Sequence, residues 1–444
     1  MTSSTSSSYR YILGKAWPII LANAAVPLLG LVDTAVIGNM GSVADLGAIA
    51  LGALIFSFVY WSFGFLRMGT TGFTAQAVGA GNEEEVRAIL GRSLLLGAAL
   101  GLLLILLQWP ISALAFSLLD GGEQMESLAQ HYFSIRIWGA PATLANFALM
   151  GLLIGLGNSR QLLLVQLVMN GLNILLDLVF AGVLGWGVEG IALGTVIAEW
   201  SALLFAGTLI YRELARRNTQ KARFWPLARI IDAPAIRKTL VANADIMLRT
   251  LVLIFSFSFF INQSAIYSDL VLAANHILLQ LISFAAFFLD GYAFVVEALV
   301  GTAIGAGQRQ HFDLAIRRST VLAGVSAAML ALLICFLGEY VVALLTNLAT
   351  VRAAVDNMLL FAALYVFCSF PAFQLDGIFI GAARTAQMRN AAFMAVAVFL
   401  GAWYVLASRY GVNGLWWAMI LYVLVRAATL LLYFPALRAS IGEK

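Results

Sequence analysis

The stretch Ala77-Val78-Gly79-Ala80-Gly81-Asn82 returns in the second half of the chain as Ala303-Ile304-Gly305-Ala306-Gly307-Gln308, at an offset of 226. The same offset carries Arg92-Ser93 onto Arg318-Ser319. It also carries Gly151, Ile154-Gly155 and Gln161 onto Gly377, Ile380-Gly381 and Gln387. Further on, Gly187-Val188-Glu189-Gly190 matches Gly411-Val412-Asn413-Gly414 at an offset of 224, so small length changes have accumulated between the copies. Both glycine turns lie between membrane-length apolar runs. A duplicated membrane unit offers a natural place for a solute between its copies, the arrangement of many transporters. The turns are not phosphate loops, because the Lys and Ser/Thr of that motif are missing.

Around these turns the chain is too apolar for water. Hydrophobic residues make up 62% and charged residues only 11% of 444 positions, so lipid must be the solvent. At about 20 apolar residues per crossing, twelve spans are expected, near 17–39, 48–72, 93–118, 128–156, 161–184, 187–211, 239–262, 270–300, 319–345, 355–382, 390–408 and 411–435. None alternates with period two as a barrel strand would. The expected fold is an all-α polytopic membrane protein with two pseudo-symmetric six-helix lobes.

Basic residues set the orientation. With odd-numbered connections facing outward, 20 of the 26 Lys and Arg fall on the cytoplasmic side, eight of them in the 212–238 connection. Only Arg352 and Arg409 face outward. Both termini are therefore expected in the cytoplasm, and the net charge of +4 reflects topology and not a nucleic-acid partner. The division reads as a tail at 1–16, an N-lobe at 17–211, a linker at 212–238, a C-lobe at 239–435 and a tail at 436–444. The Ser/Thr-rich start lacks a signal-peptide pattern. Phe224, Trp225, Leu227, Ile230 and Ile231 leave two readings of the linker, a surface amphipathic helix or a plain topological connector. Cys335 and Cys368 have no metal-ligand spacing, and His131, His276 and His311 are unclustered.

An ionisable side chain inside a span costs about 2.5–3.5 kcal/mol on insertion scales, so each is a functional candidate. Asp33, Asp177, Glu199, Asp245, Asp290, Glu297 and Asp376 fall within spans, against Arg67, Arg136, Arg249 and Arg426. The excess acids must be protonated, cation-bound or wet. Asp33, Asp177 and Thr195 sit at nearly one height in the outer half of the membrane, with Asn173 one turn from Asp177 on the same helix face. Two carboxylates, an amide oxygen and a hydroxyl at one level suit a hard monovalent cation such as Na+, and equally suit two acids sharing a proton. Taken alone, Asp33 also has a structural reading as the partner of Arg67. In the second half, Asp245 and Arg249 are spaced for an i,i+4 ion pair. Asp290 and Glu297 are two turns apart on one face, and Asp376 sits mid-span after Pro371. Any of these acids is placed to meet a cationic solute or to be structural. Pro18 and Pro27 interrupt the first span, which makes it either a bendable part or a static kink.

The run Val26-Pro27-Leu28-Leu29-Gly30-Leu31-Val32-Asp33-Thr34-Ala35-Val36-Ile37-Gly38 closely resembles the multidrug and toxic compound extrusion (MATE) family, as do Phe65-Leu66-Arg67-Met68-Gly69-Thr70-Thr71-Gly72 and Gln76-Ala77-Val78-Gly79. More narrowly the chain is similar to the DNA-damage-inducible F (DinF) branch, and the likeness extends to Asn243-Ala244-Asp245-Ile246-Met247-Leu248-Arg249-Thr250. The resemblance implies a V-shaped pair of lobes that alternate between inward and outward openings and export organic, often cationic or amphipathic compounds against inward H+ or Na+. It implies that Asp33 is the coupling acid and that Asn173, Asp177 and Thr195 complete the cation site. It further implies a bend of helix 1, for which Pro18 is better placed than Pro27. The sodium-driven branch uses acids on helices 7 and 10, and neither Asp245 nor Asp376 falls squarely on those positions.

The expected function is secondary antiport of small organic compounds in a bacterial inner (cytoplasmic) membrane, with no cofactor, no catalytic residue and a monomeric protein among membrane lipids. Protonation of Asp33 with bending of helix 1 would drive release. A flippase for lipid-linked precursors is the alternative transporter, but the acid-rich interior argues against it. An intramembrane enzyme would need a nucleophile–base or metal constellation that the dispersed His and Cys do not supply, and a passive channel would not need duplicated lobes.

Overall fold

A computed structural model describes residues 8–40, 42–118, 122–217 and 223–442, with the backbone alone given at 26–40, 43 and 118. Pro27 and Asp33 therefore have side chains outside the described residues, and Thr2 to Ser7, Lys221 and Lys444 lie outside them altogether.

Among the described residues twelve long helices follow one another. They are α1 (Tyr9–Met40), α2 (Val43–Ser62 continued by Phe65–Gly79), α3 (Glu83–Leu106), α4 (Glu123–Arg136, a 3-10 turn at Ile137–Gly139, then Ala140–Gly155), α5 (Ser159–Asp177 and a π turn at Leu178–Val183) and α6 (Gly187–Arg217). The second half continues with α7 (Ala233–Tyr267), α8 (Asp269–Gly305), α9 (Arg309–Leu345), α10 (Leu359–Gly381), α11 (Thr385–Tyr410) and α12 (Val412–Ala439). Among the described residues eleven of these segments, all but α1, are long and apolar enough to cross a membrane, and α1 is itself 32 residues long. The protein is an all-α polytopic membrane protein. Large apolar side chains such as Leu106, Leu204, Phe336, Leu344 and Leu432 stand exposed, as lipid-facing residues do.

Local chemistry starts and stops the helices. Ser42 and Asp45 form a reciprocal capping box at the start of α2, and Asn82 Oδ1 accepts from the Glu85 amide at the start of α3. Three glutamates in the first turn of α3 complement its dipole. The repeated glycine turns are the same structure twice. Gly81 and Gly307 have φ of 68° and 67°, and the Asn82 and Gln308 amides donate at 2.9 Å to Ala77 O and Ala303 O. Each is a helix end closed by a left-handed residue.

The repeat is also a repeat of packing. A Cβ on Gly151 or Gly155 of α4 would strike the carbonyls of Arg67 and Thr71 in α2. In the second copy, the matching Gly377 and Gly381 of α10 meet the carbonyls of Ala293 and Glu297 in α8. Small residues thus let backbones approach closely, as in many membrane helix pairs. The hairpins repeat too, with Gly190 against Phe180 and Ala181 and Gly414 against Leu406 and Ala407.

The contacts divide the chain into two compact units. One comprises Leu21–Ala77 and Asn82–Thr239; the other comprises Leu240 onward with the described residues up to Ile20 and Val78–Gly81. In the second unit Phe260, Phe399, Trp416 and Tyr422 are buried together. Trp416 Nε1 donates to Asn275 Oδ1 at 3.1 Å, and Asn275 Nδ2 donates to Ser264 Oγ at 2.8 Å, which ties α12, α8 and α7. Between α6 and α7 only Leu227–Ile230 is helical among the described residues. One turn is too short for a surface amphipathic helix. Ile230 is instead buried against Gly91 of α3, and Arg229 pairs with Glu84 at 3.0 Å, so this part of the connection is pinned to its own unit.

Candidate functional site

Asp177 closes the α-helical part of α5, and the backbone then widens into the π turn at Leu178–Val183. π turns recur at functional sites because they re-aim side chains at little cost in hydrogen bonding. Asp177 is 0% exposed. Asn173, one turn earlier and equally buried, donates from Nδ2 to Thr195 Oγ1 of α6 at 3.1 Å and to Asp177 Oδ1 at 3.4 Å. Thr195 spends its own hydrogen on Ile191 O at 2.9 Å. Its lone pairs therefore point to Asn173. Asn173 Oδ1 is left buried with no hydrogen-bond partner among the described residues.

The approach of α6 depends on Gly194. A Cβ there would lie 2.6 Å from Asp177 Oδ1. Sequence reasoning missed this residue, because a glycine near a glycine-rich turn reads as part of the turn. It also missed the π turn. Asn173, Asp177 and Thr195 are brought together, as their shared depth implies. The position of the Asp33 carboxylate, and with it any pairing to Arg67, lies outside the described residues.

The buried face of α5 continues the polar character inward. Gln166, Asn170, Asn173 and Asp177 follow at intervals of four, three and four, all at least nine-tenths buried. Gln166 Oε1 and both polar atoms of Asn170 have no hydrogen-bond partner among the described residues, nor does Oδ1 of Asn146 on α4. With Asn173 Oδ1 these make five atoms. Left dry, they would cost about 1–3 kcal/mol each, together on the order of a whole domain's stability.

Several of the other intramembrane charges are held in ion pairs between helices. Arg136 of α4 grips Glu199 of α6 through two bonds of 2.7 and 2.5 Å, over the rings of Phe56 and Tyr60. Gly139 makes room for that carboxylate. Asp245 and Arg249 do not form the intrahelical pair that their spacing suggests. Asp245 instead accepts from Arg389 at 2.6 Å and Thr385 at 3.0 Å, both on α11. Arg249 reaches Asp376 of α10, which Arg426 of α12 also approaches at 3.3 Å. Both side chains face neighbouring helices, so long-range partners win over the local one. Glu297 is buried and Asp290 half-buried on α8. Pro18 is buried, and α1 runs helical through it. No group of three His, Cys, Asp or Glu suited to a metal occurs among the described residues, and Cys335 and Cys368 are free. His131 lies exposed 3.3 Å from Glu189.

The family model described as MatE matches residues 18–179 and again 245–405. DNA damage-inducible protein F of Escherichia coli is 36% identical over 96% of this chain and 92% of its own length. A probable multidrug resistance protein NorM of Acinetobacter baylyi is 25% identical over 91% and 90%. Among solved structures, an outward-facing multidrug resistance MATE family transporter of the MOP superfamily superposes with a TM-score of 0.86 at 20% identity, over 97% of this chain and 96% of that one.

Proposed function

Because the chain belongs to the MatE family, a family of membrane transporters and not of enzymes, we propose that it is a secondary antiporter. It exports organic, cationic or amphipathic compounds from the cytoplasm in exchange for H+ or Na+. Similarity to a probable multidrug resistance protein supports the substrate class. The protein sits as a monomer among the lipids of a bacterial inner membrane with both termini in the cytoplasm, an orientation supported by the basic residues. Its two lobes, 17–211 and 239–435, alternate in access, joined by the 212–238 linker.

One observation carries this reading: Asn173 bridges Asp177 and Thr195 in a buried cluster that holds a carboxylate and an unspent amide oxygen. Such a cluster takes a proton or a hard cation. Asp245 and Asp376 of the second half are poor rivals, because they are held by Arg389, Arg249 and Arg426. Asp33 completes the cluster and takes the proton in the outward-open state. Helix 1 then bends at Pro18, and the first lobe expels its solute. Coupling of this kind needs only that cation and solute prefer different states.

The test uses everted membrane vesicles, with a pH or a sodium gradient imposed separately and a fluorescent organic cation as reporter. Asp33→Asn should reach the membrane at wild-type level and accumulate no dye under either gradient. Wild-type accumulation by Asp33→Asn would remove the coupling role of that residue. The gradient that drives the wild type identifies the ion.

A further inference from the structure

We propose that the polar face of α5 is a water-lined passage through which the coupling cation leaves Asp177 toward the Ser159 end of the helix. This rests on the reading of Asp177 as part of the cation site. Heights on the neighbouring helices define the passage. Gln166 Nε2 lies 3.7 Å from Met150 Sδ, which places these two residues at one level. One turn outward on the antiparallel pair α4 and α5, Asn146 stands level with Asn170. Asn146 Nδ2 donates to Glu199 O at 3.0 Å, one turn along α6 from Thr195. The unpartnered atoms of Asn146 and Asn170 therefore fall directly inward of the Asn173–Thr195 bridge.

A polar stripe between membrane helices ordinarily glues them by hydrogen bonds across the interface. Here that capacity is only partly used, because Asn146 and Asn173 each bond across to α6 while the remaining polar atoms of the stripe do not. Asn170 is 7% exposed and has neither donor nor acceptor engaged among the described residues. Buried polar atoms without protein partners are satisfied by internal water, and a site with several such atoms is roomy and polar enough to hold it. Once the proton taken up by Asp33 has passed to Asp177, with which it is shared, a chain of such waters takes it from the Asp177 carboxyl, leaving the carboxylate, and passes it along. The tract narrows at Val165 and Leu162, both 2% exposed on the same face. Beyond them the Ser159 hydroxyl, Asn158 Nδ2 and Gln161 Oε1 are again without partners among the described residues. Leu162 and Val165 form its dry constriction, at the end of α5 that the basic residues place in the cytoplasm.

Radiolytic hydroxyl-radical footprinting of the purified full-length protein tests this directly, because radicals formed on bound water oxidise adjacent methionine. Met150 should oxidise about tenfold faster than Met419, which is 1% exposed in an apolar core. Asn170→Leu should bring Met150 down toward the Met419 rate and slow gradient-driven dye export in proteoliposomes. Gln166→Leu repeats the measurement should Asn170→Leu fail to fold. The proposal is overturned if Met150 is as inert as Met419, or if its oxidation and dye export are unchanged in a folded leucine variant. Asp177→Asn separates the two readings. Normal export by that variant removes the cation site, while Met150 oxidation reports the water tract independently.

Discussion

A methyl group at position 194 would stand 2.6 Å from the Asp177 carboxylate, closer than a real Cβ contact, and the obstacle is a polar atom at the heart of the cluster. Gly194→Ala should therefore insert and fold but displace either α6 or Asp177, and dye export at saturating substrate should fall about tenfold or more, the effect of roughly 1.4 kcal/mol. Unchanged export would mean that the carboxylate position is unimportant. The Arg136–Glu199 pair makes the opposite case. It is buried, bidentate and self-neutral, so its role is to hold α4 to α6. Removing one partner strands a charge, and Arg136→Ala should cost about 3–5 kcal/mol, read as an earlier midpoint in thermal unfolding in detergent. An Arg136→Met, Glu199→Met double variant should recover most of that loss; equal instability of single and double variants would contradict the account. Depth along α5 and α6 made Asn173, Asp177 and Thr195 legible in the sequence, because a helix rises by a fixed step with each residue. The charge partners were not legible. Asp245 and Arg249 share a helix, but each reaches a different neighbour, and spacing carries no record of which helices will pack.

Among the helices and turns, the duplication explains most of what the sequence showed. Helix ends at Gly81 and Gly307 are closed by the same bonds, and the close contacts of α4 on α2 recur as α10 on α8. The third pair of turns departs from the pattern. Gly157 has φ of 71°, while its counterpart in the second copy is Ala383 with φ of 53°. Alanine in the left-handed region costs about 1–2 kcal/mol relative to glycine. Ala383→Gly should raise the thermal midpoint, with a gain of about 1 kcal/mol after the added chain entropy of glycine is deducted. A lower midpoint would show that the methyl group does packing work. The pieces of α2 on either side of Phe63 and Gly64, and the π turn after Asp177, were not readable as such. Apolar runs mark a crossing, but the backbone hydrogen bonding within it follows tertiary packing.

For the molecule as a whole, the two units handle buried charge differently. In the unit containing Leu240 onward, Asp376 answers both Arg249 and Arg426, so this cluster carries one surplus positive charge. Asp376→Asn would face two guanidiniums without a counter-charge, and it should lower the yield of folded protein before any transport step is affected. Normal yield with lost export would instead give Asp376 a direct part in transport. In the unit containing α5, the Asp177 cluster is built of oxygens and an amide, the chemistry of a reversible cation site. Export by purified Asp177→Asn in proteoliposomes, under an imposed pH gradient and then a sodium gradient, bears on that assignment most directly. Folded Asp177→Asn protein that still binds dye but exports none under either gradient is the predicted result, and export at the wild-type rate would contradict it.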